Sequence, residues 1–389
     1  MSIEEIQREL RERGLAGWLF VDHHNRDPVA YRVLGLALGR EATRRWYYLI
    51  PAEGEPRGLV HHIESEVLDG LPGVKRRYAS WQELERELVR LLGGVQRVAM
   101  QYSPNCAIPQ LSLVDAGTVE QIRALGVEVV SAADLVQMFE ARWTPENLAA
   151  HLEAGRRVDA IIAETFRWIG EELGASRTVR EFGVKQHILE RFSGNGLTTN
   201  HGPIVASGRN TSNPHYQPRP GQDREIRVGD VLLLDVWAKL EGPAAVYYDV
   251  TWMAYCGPQP PEAVQRVFEV VREARDRVIG FLRARLGAGE QVRGFEADDV
   301  ARRYISECGY GPYFTHRTGH SIGRDVHGAG ANLDNFETHD ERRLIPWTCF
   351  SVEPGVYLEE FGARSEVNVF LEDRDVRVTG TVQDALVTI

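Results

Sequence analysis

At 389 residues, 43% hydrophobic and a formal charge of -11, the chain is long enough for two globular domains and is neither disordered nor suited to a phosphate backbone. No run approaches the roughly 18 apolar residues of a membrane span, and MSIEEIQRELRERGL at the start is an amphipathic helix without an apolar signal core, so the expectation is a cytoplasmic protein with neither membrane nor nucleic-acid partners. Cys106, Cys256, Cys308 and Cys349 lie too far apart to suggest a disulfide framework or a thiolate zinc site.

The first third alternates short apolar runs with helical stretches. GWLFVD, WYYLIPA and RGLVHHI read as strands, WQELERELVRLLGG as a helix ending on glycine, and RVAMQY as a further strand. These predict a small α/β domain over residues 1–142. His61 and His62 are neighbours on one of its strands and point to opposite faces, so they do not bind one ion together. In ARWTPENLAAHLEAGRR, Thr144 is an N-cap, Pro145 suits the first turn and Glu146 favours the positive helix end. A long helix there opens a second domain over 143–389.

From about residue 200, HGPIVASG, VGDVLLLDVWAKL and VYYDVTWMAYCG read as strands, residues 261–309 as helices, and the remainder as strands again. Alternation puts Val231, Leu233, Asp235 and Trp237 on one face of the second of these strands, and Asp249 and Thr251 on one face of the third. CFSVEPGVY carries Glu353 and RSEVNVFL carries Glu366 into similarly apolar settings. Each acid alone suits a structural role: a capped or salt-bridged aspartate, Glu353 opening the EPG turn, Glu366 pairing with Arg364. Together they pose a charge problem. Converging carboxylates must hold protons unless cations bridge them, and a divalent pair resolves the repulsion at once. FTHRTGHSIGRDVH places His316, His320 and His327, three of the chain's twelve histidines, where one neutral imidazole completes such a site.

The ordered set Asp235, Asp249, His320, Glu353 and Glu366, in LLLDVWA, YYDVTW, TGHSIG, SVEPGVY and RSEVNVF, resembles the two-metal centre of the pita-bread metallopeptidases, in particular the aminopeptidase P, prolidase and creatinase branch. The resemblance implies an α+β protein, with a C-terminal pita-bread domain preceded by a smaller creatinase-type α/β domain. It also implies that Asp235 chelates one ion, that Asp249 and Glu366 bridge both, and that His320 and Glu353 complete the set. His215 in NTSNPHYQP and His327 match the family's substrate and oxyanion histidines, and His316 and Arg364 fall on substrate-side or supporting positions. A homodimer is the oligomer that the branch implies.

Oxygen-rich ligation with one imidazole suits two divalent ions such as manganese or cobalt, with zinc or iron as further options. Such a pair acidifies a bridging water and polarises the carbonyl it attacks. Glu353 is then placed to shuttle the proton, and His215 and His327 to steady the oxyanion. The expected reaction is hydrolysis of the amide bond before proline in an Xaa-Pro peptide, by an aminopeptidase P or a prolidase. Two other outcomes stay open: a metal-dependent hydrolase or lyase acting on a small non-peptide amide, and a binding module without catalysis. Four features depart from the family pattern. They are the enlarged turn EGPAAVYY, Trp252 where arginine is common, Gly328 where an acid is usual, and the insertion-like segment 329–346, which holds His339 and several acids.

Overall fold

A computed structural model describes residues 2–37 and 42–389. The chain divides into two compact units, Met1–Glu140 and Ala141–Ile389. The first is built on a six-stranded mixed sheet whose spatial order is Val74–Tyr78, Arg57–His61, Trp46–Pro51, Gly17–Asp22, Arg97–Met100 and Glu128–Ser131. Trp46 and Tyr47 are buried in its core. The helix Trp81–Leu91 starts where Ser80 and Glu83 form a reciprocal cap. His61 ends its strand with Nε2 3.1 Å from the Ala79 carbonyl oxygen, while His62 already belongs to a short 3-10 turn.

The second unit opens as its sequence predicts. Thr144 caps the helix Pro145–Gly174, its hydroxyl accepting from the Asn147 amide while the Asn147 side chain accepts from the Thr144 amide. The strand Val231–Leu240 lies antiparallel between Ile204–Ser207 and Tyr248–Tyr255. It is buried on both sides, and parity sorts its residues. Leu232, Leu234, Val236 and Ala238 join Tyr248, Val250 and Ala254 in a core against the helices Pro145–Gly174 and Glu181–Gly194. Val231, Leu233 and Met253 join the opposite core, shared with the helices Glu262–Gly287 and Gly294–Glu307. A second antiparallel sheet, ordered Ser321–Ile322, Cys349–Val352, Val367–Leu371, Val376–Thr379, adds Phe350, Val352, Val367, Val369, Leu371 and Val376 to that core.

Among the described residues no helix is long and apolar enough to cross a membrane, and all four cysteines are free. The long helix packs close on the central sheet at Gly155, where an added Cβ would lie 2.7 Å from a ring carbon of Tyr248. That ring is fully buried and its hydroxyl donates to Asp159 over 2.7 Å, so it cannot swing aside. Gly155→Val is therefore expected to destabilise the protein by about 1–3 kcal/mol. On the same helix, Gly170→Ala, whose Cβ would meet only Ile389 at 3.7 Å, should be neutral or stabilising by about 0.5–1 kcal/mol. Urea unfolding of the two variants beside the parent chain checks both signs.

Candidate metal centre

The parity that sorts the two cores also aims the acids. In the hairpin register Asp235 lies opposite Thr251 and Trp237 opposite Asp249, so both aspartates leave the sheet on the side away from the long helix. Glu353 follows directly on the strand Cys349–Val352, and Glu366 directly precedes Val367–Leu371. These two strands pair with each other, Val352 opposite Val367, which brings the two glutamates to one end of the second sheet. His320 immediately precedes the strand Ser321–Ile322, the next strand over.

The five residues meet at one wall of a cavity of about 550 Å³, which His215, His316 and His327 also line. Asp249, His320 and Glu366 offer ligand atoms all within 4.8 Å of one another, and all three are buried. His320 Nε2 lies 3.5 Å from Asp249 Oδ2 and 3.3 Å from Glu353 Oε1. The rings of His320 and His327 meet edge to face with centroids 4.4 Å apart.

Neighbouring polar groups fix the acids. Arg364 is 3% exposed; it donates from Nη2 to Asp235 Oδ2 at 2.6 Å and from Nε to Thr251 Oγ1 at 2.9 Å. The Thr251 hydroxyl in turn donates to Glu366 Oε2 at 2.8 Å. The Asp249 amide donates to Asn368 Oδ1, and Ser351 Oγ donates to Glu353 Oε1. His316 Nε2 sits 2.7 Å from the Tyr357 hydroxyl, which also accepts from Arg364. Arg364 thus pairs with Asp235 across the site and not with its chain neighbour Glu366.

Two cationic side chains do not neutralise four acids at this density. Burial pushes Asp235 up to about 7 against the pull of Arg364, with Asp249 and Glu353 adding to the rise. Burial, then the charges of Asp249, Glu353 and Asp235, hold Glu366 well above the usual carboxylate range. Asp249 is raised by burial, and its hydrogen bond to His320 offsets this only in part. Glu353 is also buried, yet His320, His316 and Arg364 together bring it down to about 2. On His320, burial favours the neutral ring, but the bond to Asp249 and the charges of Glu353 and Asp249 win and raise its pKa. His327 is open to solvent, so the charge on His320 is the cause that matters in pushing it down to about 3.

Asp249 Oδ1 is buried without a hydrogen-bond partner among the described residues. An orphaned, desolvated carboxylate oxygen is costly unless a cation meets it. A donor set of carboxylate oxygens and one imidazole fits hard or borderline divalent ions. The residues present therefore fit the metal that the sequence led us to expect.

Sequence reasoning named Thr251 only as a residue sharing a face with Asp249, and it passed over Ser351, Tyr357, Asn368 and the cavity-lining Arg317 and Glu337. Strand alternation could have found Ser351 and Asn368, each two positions from an acid. Nothing local could have found Tyr357. The departures from the family pattern also resolve. Trp252 packs into the core on the helix side, away from the acids. A Cβ at Gly328 would lie 2.8 Å from Ser321 Oγ, so the position has no room for an acid. The turn before Tyr248 is buried at Ala245, Val246 and Tyr247 and is held by Asn147, whose side chain donates to the Ala244 carbonyl. In the segment 329–346, Asp334 and Asp340 are fully buried turn formers, Glu337 alone of its acids lines the cavity, and His339 faces solvent beside Glu341.

Comparison with known proteins gives the family and the fold. Residues 149–377 match the family model described as metallopeptidase family M24. A probable dipeptidase PepE of Mycobacterium tuberculosis is 27% identical over 346 residues, spanning 87% of this chain and 84% of its own. An Xaa-Pro dipeptidase of Lactobacillus delbrueckii subsp. lactis is 32% identical over 171 residues, 44% of this chain and 42% of its own. The crystal structure of dipeptidase PepE from Mycobacterium ulcerans aligns with a TM-score of 0.74 at 22% identity, covering 100% of this chain and 96% of that one. The fold is the pita-bread fold with a preceding N-terminal domain, as expected from the sequence. With the family model spanning more than half of its length, the chain belongs to metallopeptidase family M24, a family of peptidases that implies divalent metal ions.

Proposed function

We propose that this peptidase is a two-metal Xaa-Pro dipeptidase or aminopeptidase. The observation that carries the proposal is the buried convergence of Asp249, His320 and Glu366, with an unpartnered Asp249 oxygen, on a cavity that His215 and His327 also line. In this reading Asp235, Asp249, His320, Glu353 and Glu366 hold two ions, manganese or cobalt by preference of the donor set. When bound, such a pair supplies Lewis acidity toward the scissile carbonyl and a lowered pKa for the attacking water.

The remaining chemistry belongs to the chain. Glu353 takes up a proton from the attacking water and passes it to the leaving nitrogen. His327 and His215 donate to the developing oxyanion. Arg364 and His316, joined through Tyr357, hold Asp235 and the cavity wall in place. The names of the relatives, dipeptidase and Xaa-Pro dipeptidase, support a short peptide substrate, and a cavity of about 550 Å³ has room for one.

Metal-stripped protein should cleave Xaa-Pro dipeptides or Xaa-Pro tripeptides only after manganese or cobalt is added, and the ratio between the two sets separates dipeptidase from aminopeptidase. Bound metal without cleavage of either set would redirect the search to small non-peptide amides. Asp249→Ala and Glu366→Ala should each lose at least one ion and nearly all turnover. His327→Ala should keep its metal content while kcat falls by about 100- to 1000-fold; unchanged turnover would remove it from the oxyanion site.

The acids also make a pH-dependent prediction. Asp235 and Glu366 have raised pKa values in the metal-free fold, so that fold holds protons which the unfolded chain has already lost. Their contribution to stability is present at low pH and is lost as pH rises from the ordinary carboxylate range through about 7. Metal binding must displace those protons. The rise in Tm produced by saturating manganese should therefore grow between pH 5 and pH 8, and heats of manganese binding at pH 6 should vary with the ionisation enthalpy of the buffer. Heats independent of the buffer would show that the acids are already ionised.

A further inference from the structure

The histidine segment hangs from a helix behind it through one carboxylate that no step of the proposed chemistry uses. Asp298, on the helix Gly294–Glu307, is fully buried. Its Oδ1 accepts from the Thr318 amide at 2.9 Å, the Thr318 hydroxyl at 2.6 Å and Arg302 Nη2 at 3.0 Å. Its Oδ2 accepts from Arg302 Nε at 2.8 Å and the Asn335 amide at 3.2 Å. Arg302 also donates to the carbonyl oxygens of Phe314 and His316, and the Phe314 and Phe336 rings cover its guanidinium on two sides at 4.3 and 4.4 Å.

Thr318 is where this strut meets the centre. Its carbonyl accepts from the Glu353 amide at 2.7 Å, and His320 follows two residues later. His320 and Ser351 exchange bonds: the His320 amide donates to Ser351 Oγ and the Ser351 amide to the His320 carbonyl, both at 2.9 Å. Between Thr318 and His320, Gly319 lies so near the Ser351 backbone that a Cβ would collide with its carbonyl oxygen. The segment therefore cannot shift toward the sheet, and Asp298 holds it from the other side.

We propose that Asp298, oriented by its fork with Arg302, is a positioning residue that sets the separation of His320 and Glu353 through Thr318. Neither Thr318 nor Asp298 lines the cavity that the candidate ligands share, so any effect on the centre acts through geometry. The proposal rests on the metal-centre reading above. Partners of metal ligands at this remove are typically worth about 10- to 100-fold in affinity or activity.

The test uses the full-length protein with manganese as the affinity probe and the visible absorption of the cobalt-loaded form as the geometric one. Thr318→Val keeps the shape and amide of the residue but removes the hydroxyl bond to Asp298, Thr318→Ser restores it, and Asp298→Asn removes the charge that the Arg302 fork holds. Manganese affinity should fall by about 10- to 100-fold in Thr318→Val and Asp298→Asn, with a changed cobalt spectrum, and Thr318→Ser should match the parent chain. Lower Tm with unchanged manganese affinity and cobalt spectrum would reduce Asp298 to a fold-stabilising group and overturn the proposal. Should Asp298→Asn fail to fold, the Val and Ser pair decides by itself. A parent chain that binds no manganese would bring down the metal-centre reading, and this proposal with it.

Discussion

Four carboxylates are driven into one largely desolvated volume, and much of the second unit is arranged so that the fold survives them. Isolated buried charges of one sign raise each other's pKa and destabilise the compact state. Arg364 and His320 answer part of that repulsion; Thr251 and Ser351 answer another part by donating hydroxyl hydrogen bonds to Glu366 and Glu353. The remainder shows as raised pKa values on Asp235, Asp249 and Glu366, and as an Asp249 oxygen without a partner. Carboxylates left unsatisfied by protein groups alone fit divalent cations, and membership of a metallopeptidase family implies such ions.

The scaffold manages this with two geometric devices. A strand buried on both faces sends alternate residues to opposite cores, so Asp235 and Asp249 reach the centre while their neighbours pack against the long helix. In the second sheet, Glu353 and Glu366 sit just beyond the ends of two paired strands, where the chain can turn without leaving ladder groups unpaired. The helix Gly294–Glu307 then fixes the histidine segment against that sheet end through Asp298. Asp235 and Asp249 stand on strands and Glu353 and Glu366 one residue beyond strand ends, which is how a centre of this density keeps its geometry.

Segments that depart from the family pattern are absorbed by the core. The enlarged turn before Tyr248 packs beneath Trp143 and Phe370. The segment 329–346 is stitched to the helix Gly294–Glu307 by the Phe295 amide, which donates to the Asp340 carbonyl, and by the Asn335 amide, which donates to Asp298. Its one acid in the cavity, Glu337, accepts from the Arg317 amide and places a carboxylate on the cavity wall.

What could be read from the sequence was whatever is encoded locally: the cap at Thr144, the alternation that set Asp235 with Leu233 and Trp237 on one strand and Asp249 with Thr251 on another, the histidine spacing, and the implausibility of four acids in apolar settings without a counter-charge. Periodicity and capping depend on neighbours a few residues away, so a linear reading recovers them. Pairings between distant segments were not legible. The local Arg364–Glu366 pair that the structural alternative offered is not made: Arg364 crosses to Asp235, because a long side chain on one strand end reaches whatever acid the opposing sheet presents. Tyr357 joining His316 to Arg364, Asp298 holding Thr318, and the harmless placement of Trp252 likewise follow from how the sheets and helices stack. The sequence by itself determined which groups are chemically able to hold a metal; the tertiary structure decided which of them meet and what holds them, since hydrogen bonds and burial between remote segments exist only once the chain has closed.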